Sequence, residues 1–364
     1  MHFMTIVLPA ALPPAPYAAE LAKILPKHAP TLAHWLSRAH PVLTPFDPEA
    51  AGCTTFESWL LEHAGYADQP GLRWGAGLGP LYAYPNNLAW VPSSDDANGR
   101  SEFPIVGGHA QGHGPISKDA PIDVDSAGDL NDDGRVWLAD FVHLALGTDQ
   151  ATLIPGSALA ITPAETKGLF EALAPVFADS GFSARLQASG RLRLTLPDGF
   201  VPETASPEAV AGHPLHAWWQ TDAASRPWRR VLNEVQMVWH EHPINESRQA
   251  EGLLPINGLW LYGGAHGWPA LTAERNASLY RIDQSLIAPA RSGDWAAWLD
   301  ALENIDATLL KPLAQADGTP VQPITLHLMG ERRSAKLTLA PRPAWLRWWP
   351  QSNKNWKHWW SLPA

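Results

Sequence analysis

Two histidines stand beside the proline that interrupts a helical pattern near the middle of the chain. His240 and His242 flank Glu241 directly before Pro243, and Glu246 follows in the next turn. If the chain is extended at the proline, the two imidazoles share one side of the backbone. A neighbouring carboxylate would then complete a site for zinc or a similar divalent ion. The alternative is a structural role, in which histidines at a helix C-terminus stabilise the negative end of the helix dipole.

The residues that follow predict an anion-binding corner. Asn245 and Arg248 belong to a short helical stretch, and Asn257 precedes a strand that leads to Gly263 and Gly264. A guanidinium beside a helix start is a ready clamp for an anion, and glycine backbone can approach a phosphate closely. We therefore predict that these five residues bind an anionic or phosphorylated small molecule. The alternative is that the arginine simply braces the corner.

An acidic loop resembles a calcium-binding loop. Oxygen-bearing side chains occupy positions 1, 3, 5 and 12 of a segment that has glycine at position 6, as in an EF-hand or dockerin loop. The candidate calcium ligands are Asp129, Asn131, Asp133 and Asp140. The alternative is a polar hairpin turn that leads into a core strand beginning at Val136.

The C-terminal segment, residues 341–364, interleaves tryptophans with basic residues and contains no acidic residue. Such a composition suits packing within the chain, a protein–protein interface, or contact with nucleic acid or a membrane surface. The chain has nineteen tryptophans in all, so packing within the protein explains the pattern without a partner. The aromatic and basic residues in question are Trp345, Arg347, Trp348, Trp349, Lys354, Trp356, Lys357, His358, Trp359 and Trp360.

The composition indicates a globular protein that can bury a core. Apolar residues make up 45% and charged residues 17% of the 364 positions. The net charge of −10 argues against nucleic acid as a main partner, and the single cysteine, Cys53, excludes an internal disulfide. We find no run of about 18 apolar residues that would span a membrane, and the N-terminus lacks the basic start of a signal peptide. We therefore predict a cytoplasmic protein with no membrane span.

Strand-like and helix-like patterns alternate along the chain. Strands are predicted at Phe3–Leu8, Val136–Leu146 and Ile324–Leu328, and a capped helix at Pro163–Asp179 follows Thr162. This alternation predicts an α/β fold with a mixed sheet flanked by helices. Four segments are expected: an N-terminal α/β part at 1–92, a loop-rich Gly/Asp insertion at 93–135, a core α/β part at 136–340, and the Trp-rich tail at 341–364.

The central stretch has the clearest local signals. An apolar stripe that begins at Val231 predicts a helix ending near His240, and Asn245 is predicted to cap the next helix, which Gly252 ends. A buried strand should then run through residues 259–262. The glycine pair that follows at Gly263 is expected to end this strand and to leave a crevice at its carboxyl end.

A longer pattern in this stretch resembles a known family. The run His242-Pro-Ile-Asn245-x-x-Arg248-x-x-x-Gly252-x-x-Pro255-x-Asn257-x-x-Trp260-Leu-x-Gly263 is similar to a motif of the RpfE-type regulatory proteins of bacteria. These proteins are related to archaeal-type cofactor-independent phosphoglycerate mutases of the alkaline-phosphatase-like superfamily. Further matches extend over residues 136–339. The resemblance implies an α/β scaffold that, in the enzymes, holds two divalent metals such as Mn²⁺ or Mg²⁺ with Asp and His ligands beside a Ser or Thr nucleophile.

The chain departs from that enzyme pattern where the metals would be held. The first strand runs from Ile6 to Ala10 without an acidic residue, and the region Leu326–Arg333 offers His327 and Glu331 but no Asp-His pair. We therefore predict a non-catalytic regulatory or ligand-binding protein of the RpfE type. The alternatives are a metal-dependent mutase-like or phosphatase-like enzyme and a protein-interaction module that uses the Trp-rich tail.

Overall fold

The chain forms two compact units in the computed structural model, which describes residues 4–84, 88, 134–147, 150–178, 180–218, 223–268, 280–341 and 356–361. Unit 1 takes the described residues up to Pro48 and those from 280 onward, and unit 2 takes those from Glu49 to 268. The N-terminal strand shares a sheet with strands near the C-terminus, and the division into four segments stays a prediction.

Ten strands and thirteen α-helices occur in the described residues. The strands are β1 (Met4–Leu8), β2 (Pro41–Pro45), β3 (Arg135–Leu146), β4 (Ala151–Pro155), β5 (Ser183–Leu186), β6 (Leu192–Thr195), β7 (Gly258–His266), β8 (Tyr280–Ile282), β9 (Ile324–Met329) and β10 (Arg333–Leu339). The helices are α1 (Ala15–His28), α2 (Pro30–Arg38), α3 (Pro48–Ala51), α4 (Thr55–Ala64), α5 (Leu78–Ala83), α6 (Pro163–Glu171), α7 (Ala174–Ala178), α8 (Pro207–Val210), α9 (Arg226–His240), α10 (Pro243–Ala250), α11 (Ile287–Ser292), α12 (Trp295–Ile305) and α13 (Trp356–Trp360). None of these helices is long and apolar enough to cross a bilayer.

Unit 1 is built on a mixed sheet with the strand order β2-β10-β9-β1-β8. Strand β1 lies parallel to both β8 and β9, whereas β10 runs antiparallel to β9 and β2. Helices α1, α2 and α12 bury their apolar faces in the same core, so the predicted mixed sheet flanked by helices is confirmed for this unit. The largest core side chains include Ile6, Leu8, Leu25, Trp35, Leu36 and Trp298.

A distant carboxylate caps helix α2 in unit 1. The N-cap residue Ala29 has no side-chain oxygen, and the Asp306 carboxylate accepts instead from the backbone N–H groups of Thr31 (3.2 Å) and Leu32 (2.8 Å). Asp306 is buried, and its negative charge lies at the positive end of the helix dipole. This contact fixes the start of α2 against the end of α12.

The described end of the Trp-rich tail packs into the core of unit 1. Trp356 and Trp360 of α13 are buried, with their rings edge to face at 5.9 Å. Arg333 donates to the carbonyl of Trp360 at 2.8 Å and so satisfies the end of this short helix. Packing within the chain therefore accounts for this part of the tail. The tail residues 342–355 and 362–364 lie outside the described residues.

Unit 2 is built around the long strand β3. β7 pairs antiparallel along one side of β3, β4 and β6 pair antiparallel along the other, and β5 extends the sheet beyond β6. Helix α9 packs on this sheet through Val231, Val235 and Trp239, with the indole of Trp239 stacked on Phe141 at 5.5 Å. The predicted stripe and the predicted end of α9 at His240 are both confirmed.

The helix after the proline begins earlier than predicted. Pro243 takes the first helical position of α10, and His242 is the N-cap, with its Nδ1 accepting from the N–H of Ile244 at 3.2 Å. The prediction that Asn245 caps the helix is therefore wrong, because the proline sets the helical backbone two residues before it. Gly252, with φ of +76°, ends the helix as predicted.

The glycine pair does not end strand β7. The strand continues to His266, and Gly263 and Gly264 lie inside it with φ of 98° and 104°. The register between β3 and β7 shifts opposite them, between Val136 and Trp137, so the two glycines form a bulge. The prediction that the glycine pair ends the strand is therefore wrong, and both glycines are buried inside β7.

Two helices of unit 2 start with the same capping box. Thr54 and Glu57 form it at α4, and Thr162 and Glu165 form it at α6, each threonine accepting from the backbone of its glutamate and each glutamate accepting from the backbone of its threonine. The cap at Thr162 is confirmed. The helix predicted to follow it is divided into α6 and α7, and Pro175 lies in the second of these.

Candidate functional site

Asn245 joins the end of one helix to the start of a strand. Its amide nitrogen donates to the carbonyls of Trp239 and Ile256, both at 2.8 Å, and its amide oxygen accepts from the N–H of Ile256 at 2.8 Å. The residue is buried. The side chain is therefore engaged by α9 and by the residues that lead into β7.

Arg248 braces the same corner from the other side. Its Nε donates to the carbonyl of Leu254 at 2.8 Å, its Nη2 to the carbonyl of Leu159 at 2.6 Å, and its Nη1 to the Glu165 carboxylate at 2.8 Å. The arginine side chain is 2% exposed. The three bonds tie α10 to the start of α6, which is the bracing role that the sequence left open.

The side chain of Asn257 makes the hydrogen bonds to β3 that the backbone of a paired strand would otherwise make. Its amide oxygen accepts from the N–H of Leu144 at 2.7 Å and its amide nitrogen donates to the same residue's carbonyl at 3.0 Å. His143 Nδ1 lies 2.7 Å from the carbonyl of Pro255. These contacts hold the entry of β7 against β3 just before the strand pairing begins.

The backbone of the glycine pair is used for packing. A Cβ built on Gly264 would lie 2.3 Å from the Trp137 ring, and one on Gly263 would lie 2.6 Å from the carbonyl oxygen of Val136 and 2.9 Å from Gly79. The structure thus brings Asn245, Arg248 and Asn257 together around buried backbone and leaves the two glycines farther along the strand. Anion binding by these five residues stays a prediction.

The two histidines stand at different points of the break between α9 and α10. His240 is exposed on the last turn of α9, whereas His242 caps α10 with its Nδ1. Within the described residues there is no group of three or more His, Cys, Asp or Glu side chains that could hold a metal ion. This geometry agrees with the structural alternative, and the zinc site stays a prediction.

Asp140 is the described member of the candidate calcium loop, and it lies in the middle of β3. The Tyr262 hydroxyl donates to its carboxylate at 3.0 Å, and Arg191 Nε lies 3.3 Å from the same oxygen. This agrees with the alternative of a core strand. Asp129, Asn131 and Asp133 lie outside the described residues, so the calcium site also stays a prediction.

Asp140 belongs instead to a polar pocket that the sequence did not reveal. Eight residues of unit 2 line it: Glu57, Tyr82, Asp140, Ser157, Arg191, Pro207, Glu208 and Tyr262. They come from α4, α5, α8, β3, β7 and two connections of unit 2, and we call them the polar pocket. The space among them suits one water molecule or a similarly small ion, which is too little for a sugar phosphate.

Glu57 is the most deeply buried carboxyl group of the polar pocket. The Ser206 hydroxyl donates to its Oε2 at 2.6 Å, and the backbone N–H of Thr54 donates to the same oxygen at 2.8 Å. Burial raises the pKa of Glu57 to about 7, and the hydrogen bonds from Ser206 and Thr54 oppose that rise. This carboxyl group can therefore exchange a proton near neutral pH.

Across the polar pocket from Glu57, the charges of Asp140 and Arg191 compensate each other. Burial raises the pKa of Asp140, although the Arg191 guanidinium and the Tyr262 hydroxyl both favour its ionised form. Arg191 lies over the Tyr82 ring, 4.5 Å from its centroid. Burial also raises the pKa of both tyrosines well above 10, so they stay neutral hydrogen-bonding groups.

The rim of the polar pocket carries a second serine–glutamate pair. Ser157 is exposed, and its hydroxyl donates to Glu208 Oε1 at 2.6 Å. The pocket as a whole can store and exchange a proton beside a fixed guanidinium. Two of its members carry a local sequence signal, although neither indicates a pocket: Glu57 has the capping-box spacing to Thr54, and Asp140 is an acidic residue within an otherwise apolar strand.

The carboxyl edge of the parallel strands in unit 1 is the place where an α/β sheet usually binds a ligand. The chain that leaves β1 runs through Ala10, Ala11 and Leu12, of which the last two are buried. Trp298 Nε1 donates to the carbonyl of Ala10 at 3.0 Å, and the N–H of Leu12 donates to the carbonyl of Met329 at 3.0 Å. Apolar side chains and closed backbone hydrogen bonds therefore occupy the part of this edge that follows β1, whereas the exposed Glu331 follows β9.

No protein-family model matches the chain, and no curated protein matches it. Two solved structures with a similar course of the chain are a cofactor-independent phosphoglycerate mutase from Thermoplasma acidophilum DSM 1728 and the PH0037 protein from Pyrococcus horikoshii. The first is 14% identical with a TM-score of 0.33, and the match covers 93% of this chain and 90% of that chain. The second is 12% identical with a TM-score of 0.37, and the match covers 93% and 88%. Both likenesses concern the course of the backbone alone and assign no residue of this chain a role.

Proposed function

We propose that this chain is a non-catalytic regulatory or ligand-binding protein that keeps a scaffold of the phosphoglycerate mutase type without its phosphotransfer site. The proposal draws on the RpfE-type motif between His242 and Gly263. It is carried by one observation in unit 1: the segment after β1 is apolar and buried, and its carbonyl at Ala10 is taken by the indole of Trp298.

Within the described residues, no group of three or more His, Cys, Asp or Glu side chains converges at this edge as a pair of divalent metals would require. Two-metal phosphotransfer needs several carboxylates and imidazoles that converge on ions about 4 Å apart. The residues that follow β1 are Pro9, Ala10, Ala11 and Leu12, whose side chains carry no metal ligand. The carboxylate that follows β8, Asp283, accepts from the N–H of Ser285 in its own turn at 2.9 Å. We therefore derive no reaction step through metals at this edge.

A direct assay separates this proposal from the enzyme alternative. The untagged protein is incubated with 3-phosphoglycerate in the presence of Mn²⁺ or Mg²⁺, and conversion to 2-phosphoglycerate is measured; a generic phosphate monoester tests for hydrolysis. We expect no turnover above the buffer rate. Turnover that disappears on chelation, and that also disappears in Asp283→Asn, would establish a metal-dependent enzyme at this edge and overturn the proposal.

An anionic ligand remains part of the proposal through the predicted corner. Its support is the sequence pattern of Asn245 and Arg248. Calorimetric titration with inorganic phosphate and with 3-phosphoglycerate tests it. Saturable heat that is lost in Arg248→Lys, with the fold intact by circular dichroism, would support anion binding at the corner. Equal heat in both proteins would place any anion site elsewhere.

A further inference from the structure

The polar pocket of unit 2 contains more acid than base. Three carboxyl groups, Glu57, Asp140 and Glu208, line it together with one guanidinium, Arg191. Full ionisation leaves an excess of negative charge in a largely buried space, which favours retention of a proton by one carboxyl group. The geometry of the cluster thus favours a protonated carboxyl group in the pocket.

Glu57 is the carboxyl group that holds this proton. Asp140 is compensated by Arg191 at 3.3 Å and by the hydroxyl of Tyr262. Glu208 is only half-buried, so water screens its charge. Glu57 is 3% exposed, and its hydrogen bonds come from the neutral hydroxyl of Ser206 and from backbone. Its raised pKa, about 7, agrees with this assignment.

Titratable groups reach Glu57 from every side of the pocket. Glu208 on α8 and the thiol of Cys53, which precedes α4, are close enough to interact with its charge, as is Tyr82 on α5. Across the pocket lie Asp140 on β3, Arg191 before β6 and Tyr262 on β7. Arg73, which contacts Gly52, is ion-paired with Glu203 at 3.0 Å.

The element that closes the pocket over Glu57 is the short helix α8. Ser206 is its N-cap: the backbone N–H donates to the carbonyl of Gly52 at 2.9 Å, and the hydroxyl accepts from the N–H of Ala209 while donating to Glu57. The helix has four residues, so it has little stability of its own. Its docking through Ser206 covers the apolar cluster around Trp260, whose indole donates to the carbonyl of Ala205 at 2.8 Å.

We propose that Glu57 is a proton-operated latch that holds α8 against the start of α4. With the carboxyl group protonated, Ser206 stays docked and the pocket stays closed. Loss of the proton leaves a buried charge beside Glu208; the hydrogen bonds from Ser206 and Thr54 offset its desolvation only in part, which favours a state in which α8 lifts and water reaches Glu57. This inference is independent of the proposed function, since it concerns a different unit and no phosphate chemistry.

The size of the effect follows from linkage. In the closed state the pKa of Glu57 is about 7, whereas in an open state it would take the ordinary value of 4.5. Because the closed state binds the proton more tightly, opening becomes more favourable as the pH rises between these two values. Opening should therefore increase about tenfold between about pH 6 and about pH 8, and should level off above that range. A carboxylate that an ion pair stabilises in the closed state would have the opposite effect, because its pKa is lowered there and opening would become more favourable as the pH falls.

Hydrogen exchange of the intact chain, corrected for the intrinsic pH dependence of amide exchange, tests the latch. We expect protection of the hydrogen-bonded amides of Ala209, Val210 and Ala211 to fall about tenfold from about pH 6 to about pH 8 in the wild type. In Glu57→Gln, which keeps a hydrogen-bond acceptor for Ser206, protection should not change with pH. Glu165→Gln, the matched change in the capping box of α6, should retain the wild-type profile at α8.

Two results would overturn the latch: a flat profile in the wild type, or the same pH dependence in Glu57→Gln. Carboxyl ¹³C NMR of glutamate-labelled wild-type protein gives a second measurement that does not depend on a variant that folds. A Glu signal that titrates near pH 7 supports the latch, and its absence with all glutamates titrating near 4.5 refutes it.

Discussion

Replacing Arg248 with methionine tests whether the central motif is a structural brace. The side chain is 2% exposed and donates three hydrogen bonds, two to backbone carbonyls and one to Glu165. Methionine keeps most of the side-chain volume but none of the donors. Removing the guanidinium leaves two buried carbonyls unpaired and a Glu165 carboxylate that is 19% exposed and so partly hydrated, which costs about 2–4 kcal/mol. We expect the free energy of unfolding of unit 2 to fall by that amount.

The matched control is Arg230→Met on the neighbouring helix α9. Arg230 also pairs with a glutamate, Glu234, at 3.0 Å, but its side chain is 82% exposed. An exposed pair of this kind contributes at most about 0.5 kcal/mol, so this variant should unfold close to the wild type. Urea denaturation followed by circular dichroism gives both free energies.

An equal loss of stability in the two arginine variants would show that Arg248 is not a structural brace. The same experiment separates bracing from anion binding when it is repeated with millimolar phosphate. A ligand that binds the folded state raises its stability. Phosphate that stabilises the wild type and not Arg248→Met would favour the anion-binding prediction over the brace.

Three further predictions concern single contacts, each measured by urea denaturation. Because the pKa of Glu57 is raised to about 7, the stability of the wild type should fall by up to about 3 kcal/mol as the pH rises from about 4.5 to about 7, and Glu57→Gln should remove this fall. The contribution of Glu165 should have the opposite sign, with stability lost as the pH falls, because hydrogen bonds from Thr162 and the ion pair with Arg248 lower its pKa against the effect of burial. Gly264→Ala should cost about 3 kcal/mol or more, because its Cβ would lie 2.3 Å from an indole carbon of Trp137. Gly252→Ala, also at a positive φ but with open space around the Cβ, should cost about 1 kcal/mol, and equal costs would contradict the steric explanation. Asp306→Ala should cost about 1–2 kcal/mol and Asp306→Asn less, because asparagine keeps an acceptor for the two backbone N–H groups of α2; no difference between them and the wild type would show that the cap is unimportant.

Features that depend on a few adjacent residues could be predicted from the sequence. The capping box at Thr162, the end of α9 at His240 and the C-terminal glycine of α10 each depend on local backbone preferences. The misplaced N-cap of α10 shows the limit of such rules: Asn245 is a good cap by type, but Pro243 fixes the helical backbone earlier and turns Asn245 inward, where it bonds to Ile256.

Features that depend on distant partners could not be predicted. The bulge at Gly263 and Gly264 follows from the approach of Gly79 and Trp137, which no local pattern indicates. The polar pocket is assembled from separate segments of unit 2, and the pairing of β1 with β9 joins the two ends of the chain in unit 1. Such contacts are set by packing and topology.

The most direct test of the central claim is the manganese stoichiometry of the untagged protein. The residues that follow β1, from Pro9 to Leu12, carry no side chain that binds a metal ion. Equilibrium dialysis against Mn²⁺, with the bound metal measured by mass spectrometry, should therefore give far less than two ions per chain. Two tightly bound ions per chain, displaced together by a chelator and lost in Asp283→Asn, would contradict it.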